Sequence, residues 1–87
     1  MVANQKASTT TAYRQMIIDQ YGPFLTVADL TKILKRSRTS VDAMLHRGEL
    51  PAAKIGGQYR METAALFRWW DQQVMMEQKN LLIRLNP

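Results

Sequence analysis

The stretch TVADLTKILKRSRTSVDAMLHRGELPAAKIGGQYRM, residues 26–61, decides the fold of this chain. At its start Val27, Leu30, Ile33 and Leu34 recur at the spacing that lines up apolar side chains on one face of a helix. Thr26 stands before them with Asp29 three residues on, the pattern of a capping box. After Lys35-Arg36, Ser37 is a good N-cap for another helix. That helix gathers Val41, Met44 and Leu45 on one face and ends at Gly48, because glycine enters the left-handed region without steric cost. Its opposite face offers Arg38, Thr39, Asp42, Ala43 and His46. Ala53-Lys54-Ile55 and Gln58-Tyr59-Arg60 then flank Gly56-Gly57, and a two-residue Gly-Gly loop reads as a tight β-hairpin. Such a loop sets Ile55 opposite Gln58, Lys54 opposite Tyr59 and Ala53 opposite Arg60.

Outward from this centre the patterns are simpler. Residues 1–9 are small and polar, without apolar periodicity, and read as a flexible tail. Tyr13, Met16, Ile17 and either Gln20 or Tyr21 place an amphipathic helix over residues 10–21, stopped by Gly22-Pro23. From Glu62 onward Ala65, Leu66, Trp69, Trp70 and Val74 follow helical spacing. Met75, Met76, Leu81, Leu82, Ile83 and Leu85 fall off a single stripe, so residues 75–87 read as a helical extension, either separate or dependent on a partner. Residues 10–74 are the expected domain, since a chain of 87 residues holds one modest core.

Composition narrows the chemistry. There is no cysteine, hence no disulfide, thiolate metal site or thiol nucleophile. No apolar run nears the ~20 residues that cross a bilayer, and the start lacks a charged region leading into an apolar one. The expected setting is the cytoplasm, with no membrane partner. Net charge is +5, and residues 35–60 hold +4 of it: Lys35, Arg36, Arg38, Arg47, Lys54 and Arg60 stand against Asp42 and Glu49. A recognition surface concentrates charge in this way, although a solvated basic face does so too.

Two short helices joined by a turn of about three residues have the dimensions of a helix-turn-helix. The order of Leu25-Thr26-Val27, Ser37-Arg38-Thr39, Arg47-Gly48-Glu49-Leu50-Pro51-Ala52 and Lys54-Ile55-Gly56-Gly57, with Trp69 in the closing helix, resembles the excisionase branch of MerR-like proteins, which includes phage excisionases and AlpA-like regulators. The resemblance spans residues 24–70. It implies a mainly α winged helix-turn-helix fold with a small β-hairpin, and sequence-specific binding of double-stranded DNA for a mobile element. The implied role is either that of an excisionase, which directs a site-specific recombinase toward excision, or that of an AlpA-like transcription regulator. Two positions depart from the family. Lys35 replaces the glycine usual in the turn, beside Arg36 where an apolar residue is common, so a strained or reshaped turn is expected. Asp42 sits where an aromatic or basic residue is usual; an acid there either accepts from a cytosine amino group or pairs with Arg38 or His46.

With the second motif helix in a major groove, Arg38 and Thr39 lie nearest the bases, and an arginine can bond guanine O6 and N7 together. The other reading of Arg38 is a bond to a neighbouring carboxylate. Ser37 is a cap first and a phosphate contact second, while Lys35, Arg36 and Arg47 suit phosphate. Lys54, Gly56, Gly57, Gln58 and Arg60 form the candidate wing surface; alternatively the hairpin only completes the core through Ile55, Tyr59 and Met61. His46 has no second histidine or cysteine for metal spacing and reads as a polar residue near DNA. No nucleophile or glycine-rich phosphate loop adjoins an acid–base pair, so neither an enzyme nor a cofactor site is expected. Phe67, Trp70, Val74 and Met75 are core residues or an oligomer contact. Self-association or cooperative binding on DNA is expected because one small module makes few contacts. The rival from another class is a protein-binding adaptor or antirepressor that uses the apolar C-terminal helix.

Overall fold

Local capping chemistry fixes where the helices begin and end. The computed structural model describes the backbone of residues 2–85 and the side chains of residues 11–85. Along it run α1 (Val2–Tyr21), β1 (Phe24–Leu25), α2 (Val27–Leu34), α3 (Arg38–His46), β2 (Ala53–Ile55), β3 (Gln58–Glu62) and α4 (Thr63–Leu85). Met1 of the expected tail and Asn86-Pro87 of the expected extension lie outside the described residues. The α1 segment begins at Val2, where the sequence predicts a start near Thr10; no glycine or proline interrupts the chain before Gly22.

Both bonds of the capping box at α2 are present. The Thr26 N–H donates to Asp29 Oδ2 at 3.0 Å, and the Asp29 N–H donates to Thr26 Oγ1 at 3.1 Å. At the other end Lys35 takes the left-handed conformation, φ 54° and ψ 46°, and the Arg36 N–H closes on the Thr31 carbonyl at 3.1 Å. This is a Schellman-type ending carried by a residue with a Cβ. Ser37 Oγ accepts from the Ser40 N–H at 3.1 Å and starts α3. Gly48, at φ 71°, ends it, with the Gly48 and Glu49 N–H groups returned to the Leu45 and Met44 carbonyls. The turn that separates the two motif helices is therefore built from one helix's stop and the next helix's cap.

The β2–β3 hairpin, the expected wing, has the register read from the sequence, Ala53 with Arg60, Lys54 with Tyr59 and Ile55 with Gln58, around glycines at φ 58° and 82°. Unread in the sequence is β1, which pairs antiparallel with the far edge of β3 through Phe24–Glu62 and Leu25–Met61. The sheet is thus three-stranded, ordered β1-β3-β2. Leu25, Leu30, Val41, Met44, Leu45, Leu50, Met61, Ala65 and Leu66 form the core, with Tyr21, Val27, Ile33, Leu34, Tyr59 and Trp69 packed around it. Ile55, which the alternative reading of the hairpin turns into the core with Tyr59 and Met61, is instead 65% exposed. Alternate strand residues face opposite ways, and the register puts Ile55 with Gln58 on the face away from Met61.

Thr63 is the buried polar residue of this core, 1% exposed, and it ties the two ends of the domain together. Its N–H donates to the Pro23 carbonyl at 2.9 Å and its Oγ1 donates to the Gly22 carbonyl at 2.7 Å. Thr63→Val keeps the shape and removes the second bond, leaving the Gly22 carbonyl without that donor. The expected loss is about 1–2 kcal/mol in chemical denaturation, with an unchanged m-value.

The α4 helix continues without a break to Leu85, and from Trp70 onward all its described residues are exposed. The Cα radius of gyration is 15.2 Å, against about 12 Å for a compact chain of this length. The second half of α4 projects beyond the core.

Candidate nucleic-acid interface

The start of α2, the exposed side of α3 and the wing enclose one groove of about 410 Å³. Arg38, Asp42 and His46 line it from α3; Lys54, Gly57, Gln58, Tyr59 and Arg60 line it from the wing. Three cations here meet one acid. Packing of Val41, Met44 and Leu45 into the core turns the polar side of α3 outward, so the helix presents Arg38, Asp42 and His46 at successive turns. The wing is held against α3 by Tyr59. Its ring meets the His46 ring edge-on at 6.0 Å between centroids, and the Lys54 ammonium lies 5.6 Å from its centroid. Arg60 donates to Gln58 Oε1 at 2.8 Å and to the Tyr59 carbonyl at 3.1 Å, which fixes its guanidinium along the strand.

Arg38 Nε lies 3.5 Å from Asp42 Oδ2, one helical turn away. Of the two partners open to Asp42 within the protein, its carboxylate takes Arg38, whereas His46 Nδ1 lies 2.8 Å from the Asp42 backbone carbonyl. Among the described residues no three of His, Cys, Asp and Glu are grouped to hold a metal ion. Among those same described residues no helix is long and apolar enough to cross a membrane.

The sequence profile of the helix-turn-helix domain family matches residues 24–74, from β1 into α4. The chain belongs to that family. Two curated Mycobacterium tuberculosis proteins, one from strain CDC 1551 / Oshkosh and one from a second strain, each bear the name "Putative DNA-binding protein". Each is 36% identical to this helix-turn-helix chain over 42 residues, which cover 48% of this chain and 54% of the relative. The chain spans about half the length of the curated relatives it matches. No solved structure matches it significantly.

Not every residue singled out in the sequence lies on the α3–wing groove of this helix-turn-helix. Ser37 is the cap described above, Thr39 is exposed beside Arg38, and Gly56 is at the exposed hairpin tip. Arg36 donates from Nε to Ser40 Oγ at 2.8 Å and bridges the turn to α3. Arg47 is paired with Glu49. Lys35 lines a different groove, about 360 Å³, between α1, the end of α2 and α4, together with Tyr13, Ile17, Phe67 and Trp70. Arg14 closes that second groove through a two-pronged bond to Asp71 at 2.6 and 3.2 Å, and its guanidinium lies 5.2 Å from the Phe67 ring centroid. That hydrogen bond holds the Asp71 carboxyl below the ordinary carboxylate range. Of the candidate oligomer residues, Phe67 is half-buried here, while Trp70, Val74 and Met75 are exposed.

Thr26, Val27 and Ala28 belong to the α3–wing groove too, although the sequence reading gives Thr26 and Val27 only cap and core roles and Ala28 none. Their signal was present, since a capped helix start presents N–H groups outward. The departure at Lys35 has a measurable consequence. A side chain in the left-handed region costs roughly 1–2 kcal/mol, partly returned by the greater freedom of an unfolded glycine. Lys35→Gly is therefore expected to raise stability by about 1 kcal/mol, read as a higher denaturation midpoint. A lower midpoint would show that the lysine stem on the second groove outweighs the strain.

Proposed function

We propose that this chain binds double-stranded DNA in a sequence-specific manner, with the start of α3 in the major groove and the wing on the adjoining backbone or minor groove. In this reading it serves a mobile element, as an excisionase or as an AlpA-like transcription regulator. The supporting observation is the single groove where Arg38, Lys54 and Arg60 converge from α3 and the wing. Charge in such a place draws phosphate while a helix edge reads bases. The name of the two Mycobacterium tuberculosis relatives points the same way. Two or more copies act together, because one module this small makes few base contacts. Exposed Trp70, with Val74 and Met75 further along α4, supplies their contact. In the excisionase role a site-specific recombinase is a further partner.

The test is binding of the pure protein to labelled duplexes from the DNA flanking its own gene, across a salt series. DNA binding gives a log–log slope of about −0.9 per phosphate neutralised. Salt-independent binding of another protein, with no duplex bound, would instead favour the adaptor reading. Footprints on recombination-site repeats mark an excisionase, and footprints on a promoter mark a regulator. Sedimentation with and without the duplex reports the number of copies.

A further inference from the structure

The Arg38–Asp42 pair runs against what a helix needs for stability. A cation at the helix start and an acid one turn later oppose the macrodipole; the favourable order is the reverse. The α3 first turn holds no acid to offset this. Both side chains are substantially exposed, 66% and 43%, and pairs of that kind contribute little to folding. Asp42 also weakens a cationic groove for phosphate. Its position on α3 therefore has another use.

That use lies in which nitrogen it holds. Asp42 Oδ2 engages Arg38 at Nε. With Nε the atom of Arg38 nearest the carboxylate, the two terminal nitrogens are left to serve as the donor fork that matches guanine O6 and N7. Neither a lysine nor an unrestrained arginine presents that fork in one fixed orientation. The remaining groups facing Asp42 across the groove do not compete for it. Lys54 lies over the Tyr59 ring, Arg60 is bonded to Gln58, and His46 turns to the Asp42 backbone carbonyl. We infer that Asp42 is a positioning residue that aims Arg38 at guanine, and that the DNA target carries a guanine facing the start of α3. This rests on the DNA-binding reading above.

The experiment selects duplexes from a randomised double-stranded library with the full chain and with Asp42→Ala, Asp42→Asn and Arg38→Lys. The unaltered chain is expected to enrich one guanine by about tenfold or more over the other bases. Replacing that guanine by 7-deazaguanine, which lacks N7, weakens its binding. Asp42→Ala flattens the preference at that position and loses the response to 7-deazaguanine, while its affinity for random duplex stays level or rises because an acid has gone. Asp42→Asn keeps an acceptor oxygen and retains part of the preference; Arg38→Lys keeps the charge and loses it. A merely structural Asp42 would change thermal stability and leave the base profile untouched, which overturns the inference. Selection of a cytosine that depends on Asp42 also overturns it, by giving the carboxylate to the base. If no duplex binds at all, the DNA-binding reading itself fails.

Discussion

Leu25→Ala is expected to remove about 2–5 kcal/mol of stability. Leu25 is fully buried although it stands in a strand of two residues. It pairs with Met61 and shares one core with Leu30, Val41 and Leu66, so a smaller side chain leaves a cavity where sheet and helices meet. The surrounding elements cannot close that space, because Thr63 anchors the chain just before β1 through the Gly22 and Pro23 carbonyls. For a domain whose total stability is on the order of 5–15 kcal/mol the loss is large. The thermal midpoint should fall by roughly 10 °C or more. Phe24→Ala is the control. Phe24 is the neighbouring strand residue, 59% exposed, and its loss should cost well under half as much. Equal effects at the two positions would mean that β1 is not seated on the core as described.

Leu25 also marks the boundary of what could be read in advance. Helix ends are written locally, and Thr26 with Asp29, Ser37 with Ser40 and the left-handed Gly48 each complete a pattern within a few residues. The hairpin is local too, since two glycines with positive φ fix the loop and the loop fixes the register. A strand of two residues has no period to detect, and β1 gains its identity from β3, far along the chain. The Thr63 bond to Gly22 is likewise invisible without the fold. Ile55 fails for a related reason. Apolar character says that a residue can be buried, whereas the pleat decides which face it takes. For the candidate site, the sequence supplied the α3 and wing residues but not their division between grooves. Lys35 shares its turn with Arg36, yet it lines the groove against α1 and α4. Asp42 was legible only as an anomaly with several possible partners, and of the two within the protein its carboxylate takes Arg38.

Arg38→Ala combined with Arg60→Ala is expected to weaken binding to the selected duplex by roughly ten- to a hundredfold or more, given ~1–3 kcal/mol for the base contact of Arg38 and the further loss of one phosphate contact at Arg60. Stability should change little, because neither residue is in the core and Arg60 bonds only along its own strand. The two single variants should fail differently. Arg38 extends from the helix that carries the base-reading edge, so its loss flattens sequence preference more than it lowers affinity for random DNA. Arg60 lies on the wing beside Lys54, so its loss weakens every duplex by a similar factor and makes the log–log salt slope shallower by about 0.9. Their effects should combine almost additively if helix and wing contact separate parts of the duplex. Measuring all three variants in one salt series separates base reading from backbone attraction. A folded double variant that binds as well as the unaltered chain would remove the α3–wing groove from the DNA interface altogether.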